Sequence, residues 1–318
     1  MRRLPLTLFS ALVLVTAGCS AGAKSGSAQK NTALSSSTGP AATPPSVTVK
    51  AREYGFDVPA EIEGGVVRIT LQNDGKLKHE AVIVAAGDAP LAQLKNDLTP
   101  VVNGEDQPVA PYLHFQGGVS LVAAGTSAVS TLTLPAGKYV LVCTLTDADS
   151  LDATAGPPPE SAQRFHYELG MAAPFTVRST NTAVMPPADG TVVARDWAFD
   201  VPPLAPGTRT FTLRNDGRED HSLAVSEFPE GVDADAAKAA FDQFLAADAA
   251  ARRPPDNLPV PDDVAFAGPL SAAGQATFTV ELKPNRTYIF ACYMTDRAGG
   301  PRHATGKGMV TYATTSGG

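Results

Sequence analysis

The chain has 318 residues with 28 glycines, 27 prolines and a formal charge of −7. The length suggests two domains, each with its own core, and the Gly and Pro content without helical heptads favours a turn-rich, strand-dominated fold. No basic cluster follows Arg3, which excludes a nucleic-acid binder, since that role needs a positive face.

Arg2 and Arg3 precede the apolar run Leu4 to Val15 and then Thr16-Ala17-Gly18-Cys19. A charged start, a short apolar stretch and a small-residue end form an export signal. The run is too short for a resident membrane helix, which takes about 20 residues. The ending resembles the lipobox of bacterial lipoproteins, although Thr16 stands where such boxes usually carry an aliphatic residue. The resemblance implies a signal peptide over 1–18, a lipid on Cys19 and a chain anchored to the extracytoplasmic face of the cell membrane. Residues 20–46 are Ser, Gly, Ala, Thr and Pro with few large apolar side chains. They cannot bury enough surface to offset ordering entropy, so 19–46 reads as a flexible tether.

Beyond the tether the chain repeats itself. Arg52-Glu53-Tyr54-Gly55-Phe56-Asp57-Val58-Pro59 returns as Arg195-Asp196-Trp197-Ala198-Phe199-Asp200-Val201-Pro202. Leu71-Gln72-Asn73-Asp74-Gly75 followed by His79 returns as Leu213-Arg214-Asn215-Asp216-Gly217 followed by His221. One domain has been duplicated, giving 47–180 and 181–318, with Pro186-Pro187 stiffening the link.

Strand patterns run over Val66–Leu71 and Thr208–Leu213, each ending in Asn-Asp-Gly, and restart at Glu80–Ala85 and Ser222–Val225. Ser127–Leu134 and Ala276–Leu282 alternate again, and Pro135-Ala136-Gly137 and Pro284-Asn285 supply turn chemistry. Phe175–Val177 and Val310–Tyr312 read as closing strands. Tyr54 and Trp197, at equivalent positions, read as core aromatics of the first strand. Between the first histidine and the cysteine each copy carries a helical insert, Ala89–Leu98 ended by Pro100 and Asp233–Ala251 ended by Pro254-Pro255.

Two apolar runs end in cysteine: Tyr139–Val142 before Cys143 and Tyr288–Ala291 before Cys292. Each is followed by a polar loop, a histidine and a Gly-Met pair: His166 with Gly170-Met171, and His303 with Gly308-Met309. One thiol per domain leaves three readings open, namely a small buried hydrophobe, a metal ligand, or a Cys143–Cys292 bridge between domains. Asp147 and Asp296 recur four residues after each cysteine, placed to cap the loop through backbone bonds or to add an oxygen ligand. His114 has no counterpart in the second copy and reads as a surface histidine.

An antiparallel sandwich with one His after a turn, and Cys, His and Met near its last strands, resembles the cupredoxins, particularly the plastocyanin-, pseudoazurin- and halocyanin-like ones. The resemblance implies an all-β chain of two tandem cupredoxin-like Greek-key β-sandwiches, each with a short helical insert. It implies one copper per domain, held by His79, Cys143, His166 and Met171 in the first and by His221, Cys292, His303 and Met309 in the second. Thiolate and imidazoles suit copper in a trigonal plane, with a thioether as weak axial contact. The His303 to Met309 spacing is one residue longer than that of His166 to Met171. The loops depart from the short-loop pattern: 22 residues separate Cys143 from His166 and 10 separate Cys292 from His303. Closing them costs about 2 and about 1.5 kcal/mol more than a two-residue loop, which a metal site contributing on the order of 10 kcal/mol tolerates. The expected consequence is reduced preorganisation.

The implied role is electron transfer or copper handling, with a redox or copper-handling protein as partner. The competing role is a metal-free envelope binding module. Enzyme signatures are missing from the sequence. The five histidines include no His-x-His pair, and no Gly-x-Ser-x-Gly, phosphate-binding glycine loop or Cys-x-x-Cys occurs. A non-catalytic protein is therefore expected.

Overall fold

The computed structural model describes residues 42–150, 160–249, 255 and 257–317. The leader, Cys19, most of the tether, Pro157-Pro158-Pro159 and Arg252-Arg253-Pro254 lie outside the described residues. The first half runs β1 (Ser46–Arg52), β2 (Gly55–Asp57), β3 (Glu61–Asn73), β4 (His79–Ala85), α1 (Leu91–Asn103), β5 (His114–Val122), β6 (Ser127–Leu134), β7 (Gly137–Val142), α2 (His166–Leu169) and β8 (Ala172–Thr180). The second half repeats the order as β9 (Gly190–Arg195), β10 (Ala198–Asp200), β11 (Gly207–Asn215), β12 (His221–Glu227), α3 (Ala234–Ala249), β13 (Asp262–Leu270), β14 (Gln275–Leu282), β15 (Thr287–Ala291), α4 (His303–Gly306) and β16 (Val310–Thr314).

Each half is a two-sheet sandwich. In the first, β1 runs parallel to β3 and β3 pairs antiparallel with β6. The early part of β3 also pairs with β8, which continues through β7 and β4 to β5. In the second, β9, β11 and β14 form one sheet and β16, β15, β12 and β13 the other. Alternation in β3 sends Val67, Ile69 and Leu71 inward. The strands β12 and β15 do not alternate, because both of their faces are covered. Phe228, Ala237, Ala240 and Phe241 pack α3 over Ile289 and Ala291 on the outer side of β15.

The halves share sheets. The pairing of β6 with β14 is reinforced by Ser130 Oγ donating to Thr277 O (2.7 Å) and Thr131 N–H donating to Thr277 Oγ1 (2.7 Å). Alongside, β5 meets β13, where Phe115 and Ser271 exchange N–H bonds of 2.8 Å. Arg297 adds a third tie. It pairs with the buried Asp220 at 2.5 Å, donates to Leu113 O and accepts from Val109 N–H.

Two local expectations need correction. The first helix does not stop before Pro100 but runs through it to Asn103. The proline removes the N–H that would have donated to Asn96 O, and the helix carries that loss through its last turn. The end is set by Gly104 in the left-handed region (φ 67°), whose N–H returns to Pro100 O and Val101 O. Tyr54 and Trp197 are not core strand residues. They sit in the β1–β2 and β9–β10 turns with φ of 60° and 74°, half-buried.

Candidate metal centres

The Asn-Asp-Gly turn delivers the first histidine of each half. Asn73 Nδ2 donates to Leu77 O (2.8 Å) and Val122 O (2.9 Å), while its Oδ1 accepts from Gly75 N–H (2.9 Å). Asn215 makes the same three bonds, to Glu219 O, Leu270 O and Gly217 N–H, each 2.8 Å. Both amides are buried and fully partnered, so each turn has one shape and places His79 or His221 at the first position of an inward strand.

The long loops are pinched at their bases. Leu145 O accepts from His166 N–H (2.8 Å), Cys143 O accepts from Tyr167 N–H (3.0 Å), and Thr146 bridges to Phe165. In the second half Met294 O accepts from His303 N–H (2.8 Å) and Cys292 O from Ala304 N–H (2.7 Å). The closure of the first loop is made by Cys143, Leu145 and Thr146 on one side and Phe165, His166 and Tyr167 on the other. The expectation that length removes preorganisation is overturned: both histidines stand two backbone bonds from their cysteines.

His79, Cys143 and His166 converge, as do His221, Cys292 and His303. All six side chains are wholly buried. Cys143 Sγ lies 3.9 Å from His79 Nδ1 and 3.4 Å from His166 Nδ1, and the two Nδ1 atoms are 3.2 Å apart. Cys292 Sγ lies 3.7 and 3.4 Å from the Nδ1 atoms of His221 and His303. Donors that share one metal at about 2.0–2.3 Å with angles of roughly 100–125° stand at such separations. Both groups therefore fit a copper ion by distance, and thiolate with two imidazoles is the donor set copper takes in a trigonal plane. Both thiols are free, which removes the Cys143–Cys292 bridge.

Met171 and Met309 are buried beside these groups. Each methionine N–H donates to the carbonyl of its histidine, 2.9 Å to His166 O and 3.0 Å to His303 O. Each methionine O accepts from its cysteine N–H, at 3.2 and 3.3 Å. The additional residue before Met309 is absorbed at Lys307, after α4, and the backbone pattern is unchanged. His114 is exposed at the start of β5, apart from both groups.

A ring of carboxylates backs the imidazoles, and sequence reasoning missed it. Asp147 Oδ1 accepts from His166 Nε2 (3.1 Å) and Tyr54 Oη (3.0 Å). Asp296 Oδ1 faces His303 Nε2 at 3.1 Å, with Lys307 Nζ on its other oxygen at 3.0 Å. Asp196 Oδ1 accepts from His221 Nε2 (3.2 Å), Arg218 N–H (2.8 Å) and Glu219 N–H (3.1 Å). Glu53 Oε1 accepts from Lys76 and Leu77 N–H and faces His79 Nε2 at 3.9 Å. Asp147 and Asp296 are thus neither backbone loop caps nor members of the inner triads. The recurrence of Glu53 as Asp196 was the available signal.

Burial sets the protonation states. It lowers His79 and His303 to about 4, with the neighbouring ring of each group adding to the effect. It also lowers His166 and His221, against the pull of Asp147 and Asp196. Burial pushes the Cys292 thiol up to about 11 and raises Cys143 too, where the Glu80 carboxylate adds to the shift. Neutral imidazoles are already in the ligating form, and the thiols carry the proton that a metal must displace. The two sulfurs accept backbone N–H bonds, from Glu80 (3.5 Å) and Ser222 (3.4 Å). A largely apolar cavity of about 220 Å³ lies between the halves, walled not by the ligands but by residues near them in the chain, Glu80, Thr144 and Leu145 from one half and Ser222, Tyr293 and Met294 from the other.

Each half has a cupredoxin-like fold. Strand order and the convergence of His, Cys and His carry that statement. No family model matches the sequence, and no curated protein does. Among solved structures, an auracyanin from Roseiflexus castenholzii is 20% identical, covering 42% of this chain and 95% of its own with a TM-score of 0.27. Auracyanin A, a blue copper protein from Chloroflexus aurantiacus, is 20% identical over 43% of this chain and 100% of its own, with a TM-score of 0.28. A copper-containing nitrite reductase from Thermus scotoductus is 14% identical and covers 86% of this chain and 62% of its own, with a TM-score of 0.22.

Proposed function

We propose that this protein binds one copper ion in each cupredoxin-like half and passes single electrons, without catalysing a reaction of its own. The observation that carries the reading is the convergence, twice in one chain, of a buried thiol and two Nδ1 atoms at 3.4–3.9 Å. Met171 and Met309 would add a thioether to the donors of the same ions, since their backbones are tied to both the Cys and the His of their centres. Copper held this way shuttles between its two oxidation states with little rearrangement of ligands.

Electron transfer is favoured over copper delivery by burial. No donor atom of either group reaches solvent, so a bound ion is resident rather than in transit. A non-catalytic role is supported by the histidine inventory: four of the five serve these two groups, and His114 stands apart. The proposed setting is the extracytoplasmic face of the cell membrane, through a lipid on Cys19, with a redox protein as partner. The Thr16-Ala17-Gly18-Cys19 ending supports this, and among the described residues no helix is long and apolar enough to cross a membrane.

A second reading has one observation in its favour. Burial keeps both thiols in the protonated form that a cysteine packed as a small hydrophobe holds, as in a metal-free interaction module. Titration with Cu(II) separates the two. The copper reading expects an intense thiolate-to-copper visible band at two equivalents, lost in Cys143→Ser plus Cys292→Ser, and reversible one-electron reduction. A colourless protein that keeps two titratable thiols would establish the module instead. Rapid loss of Cu(I) to a competing chelator would favour delivery.

A further inference from the structure

The turns that close β1–β2 and β9–β10 each carry an acid followed by an aromatic residue: Glu53-Tyr54 and Asp196-Trp197. Both aromatics lie in the left-handed region, with φ of 60° and 74°. A bulky residue is rarely found there and persists only where its surroundings hold it. Glycine or asparagine would form either turn with less strain, yet both halves keep an aromatic.

The strained conformation does the same thing twice. It points two consecutive side chains at the two imidazoles of one centre. The acid meets the first histidine: Asp196 Oδ1 takes His221 Nε2–H at 3.2 Å, and Glu53 Oε1 faces His79 Nε2 at 3.9 Å. The ring meets the second edge-on, Tyr54 against His166 at 5.4 Å and Trp197 against His303 at 4.9 Å between centroids. Glycine in the Asn-Asp-Gly turn clears the approach. A Cβ on Gly75 would lie 3.0 Å from His79 Nε2, and one on Gly217 2.9 Å from His221 Nε2, each also crowding the carboxylate. The acid is itself aimed by N–H groups of that turn, Lys76 and Leu77 in one half, Arg218 and Glu219 in the other.

We propose that this acid–aromatic turn is a positioning device for the metal ligands. In the second half the Asp196 carboxylate holds the His221 proton on Nε2, which leaves the Nδ1 lone pair facing the thiol; in the first half Glu53, 3.9 Å from His79 Nε2, makes no hydrogen bond there and acts through its charge alone. The aromatic ring fixes the plane of the second imidazole. The carboxylate charge, passed through the ring, favours Cu(II) over Cu(I). The copper statements rest on the reading given above; the tautomer statement does not.

The test therefore has a metal-free arm. Nitrogen-15 NMR of the imidazoles in the purified, metal-free full chain is expected to show His221 protonated on Nε2. Asp196→Ala is expected to give a mixture of tautomers, and Asp196→Asn, which keeps an accepting oxygen, to restore the wild-type state. In the copper arm, Cu(II) alone is titrated into the same proteins. Asp196→Ala is expected to lose about 10–100-fold in Cu(II) affinity, with a smaller loss for Cu(I), and Glu53→Ala to lose less than Asp196→Ala. Asp196→Asn is expected to shift the same affinity ratio toward Cu(I) despite its restored tautomer. Trp197→Gly relieves the backbone, so unchanged or increased thermal stability together with an altered copper spectrum at the second centre is expected. An Nδ1-protonated His221 in the wild type, or a tautomer untouched by Asp196→Ala, would overturn the proposal whatever copper does. If the wild type takes up no copper, the function reading falls and the tautomer result alone decides this one.

Discussion

Asn215 offers the sharpest test of how these centres are assembled. Its amide is wholly buried and makes three bonds of 2.8 Å that give the turn before His221 its shape. Asn215→Ala removes all three and strands two carbonyls and one N–H. At about 1 kcal/mol net for each bond, the expected loss of stability is about 3 kcal/mol. Asn215→Asp is nearly isosteric but replaces the donor by an acceptor facing Glu219 O and Leu270 O, and it buries a charge. Its cost should exceed that of alanine. Urea denaturation read by fluorescence suits the measurement, because the single tryptophan, Trp197, lies against His303 in the same centre. The midpoint should fall with little change in m, the sign of altered stability rather than altered compactness. A loss below about 1 kcal/mol for alanine, or an aspartate variant as stable as wild type, would refute the view that this amide sets the turn.

Arg297→Ala should cost about 3–5 kcal/mol, since it leaves the buried Asp220 carboxylate without its partner; limited proteolysis should then cut near the seam between the halves, and an unchanged midpoint would refute the role. Copper loading should release about one proton per centre in weakly buffered solution at neutral pH, because both thiols start protonated; release near zero would mean the sulfur does not ligate. Burial raises Tyr167 and Tyr288 to about 12, above the usual value of about 10 in an unfolded chain. Both must stay neutral in the fold, so their contribution is intact below pH 10 and is lost as pH rises toward 12. Tyr167→Phe plus Tyr288→Phe should flatten the fall in melting temperature across that window, and an unaltered slope would count against it.

Much of the architecture was legible in the sequence, for identifiable reasons. The repeats exposed Asn73 with Asn215 and Cys143 with Cys292 as paired positions, and alternation in β3 and β11 marked sandwich strands. What stayed hidden joins residues far apart in the chain. Asp147 meets Tyr54 across 93 positions, and no spacing rule encodes that contact. Loop length misled because the count from Cys143 to His166 does not reveal where the chain pinches; the bond from His166 N–H to Leu145 O does. The pairing of β6 with β14 was equally silent, since Ser130, Thr131 and Thr277 look like ordinary polar strand residues until their bonds are drawn.

That seam constrains how the protein can be dissected. A fragment ending after β8 would bare the margins of β5 and β6, both rich in unpaired main-chain groups. The nearest surface of matching shape is another copy of the same fragment, given the kinship of the repeats. Isolated halves should therefore dimerise about a twofold axis or precipitate, and single-centre versions are better made by silencing one cysteine within the intact chain.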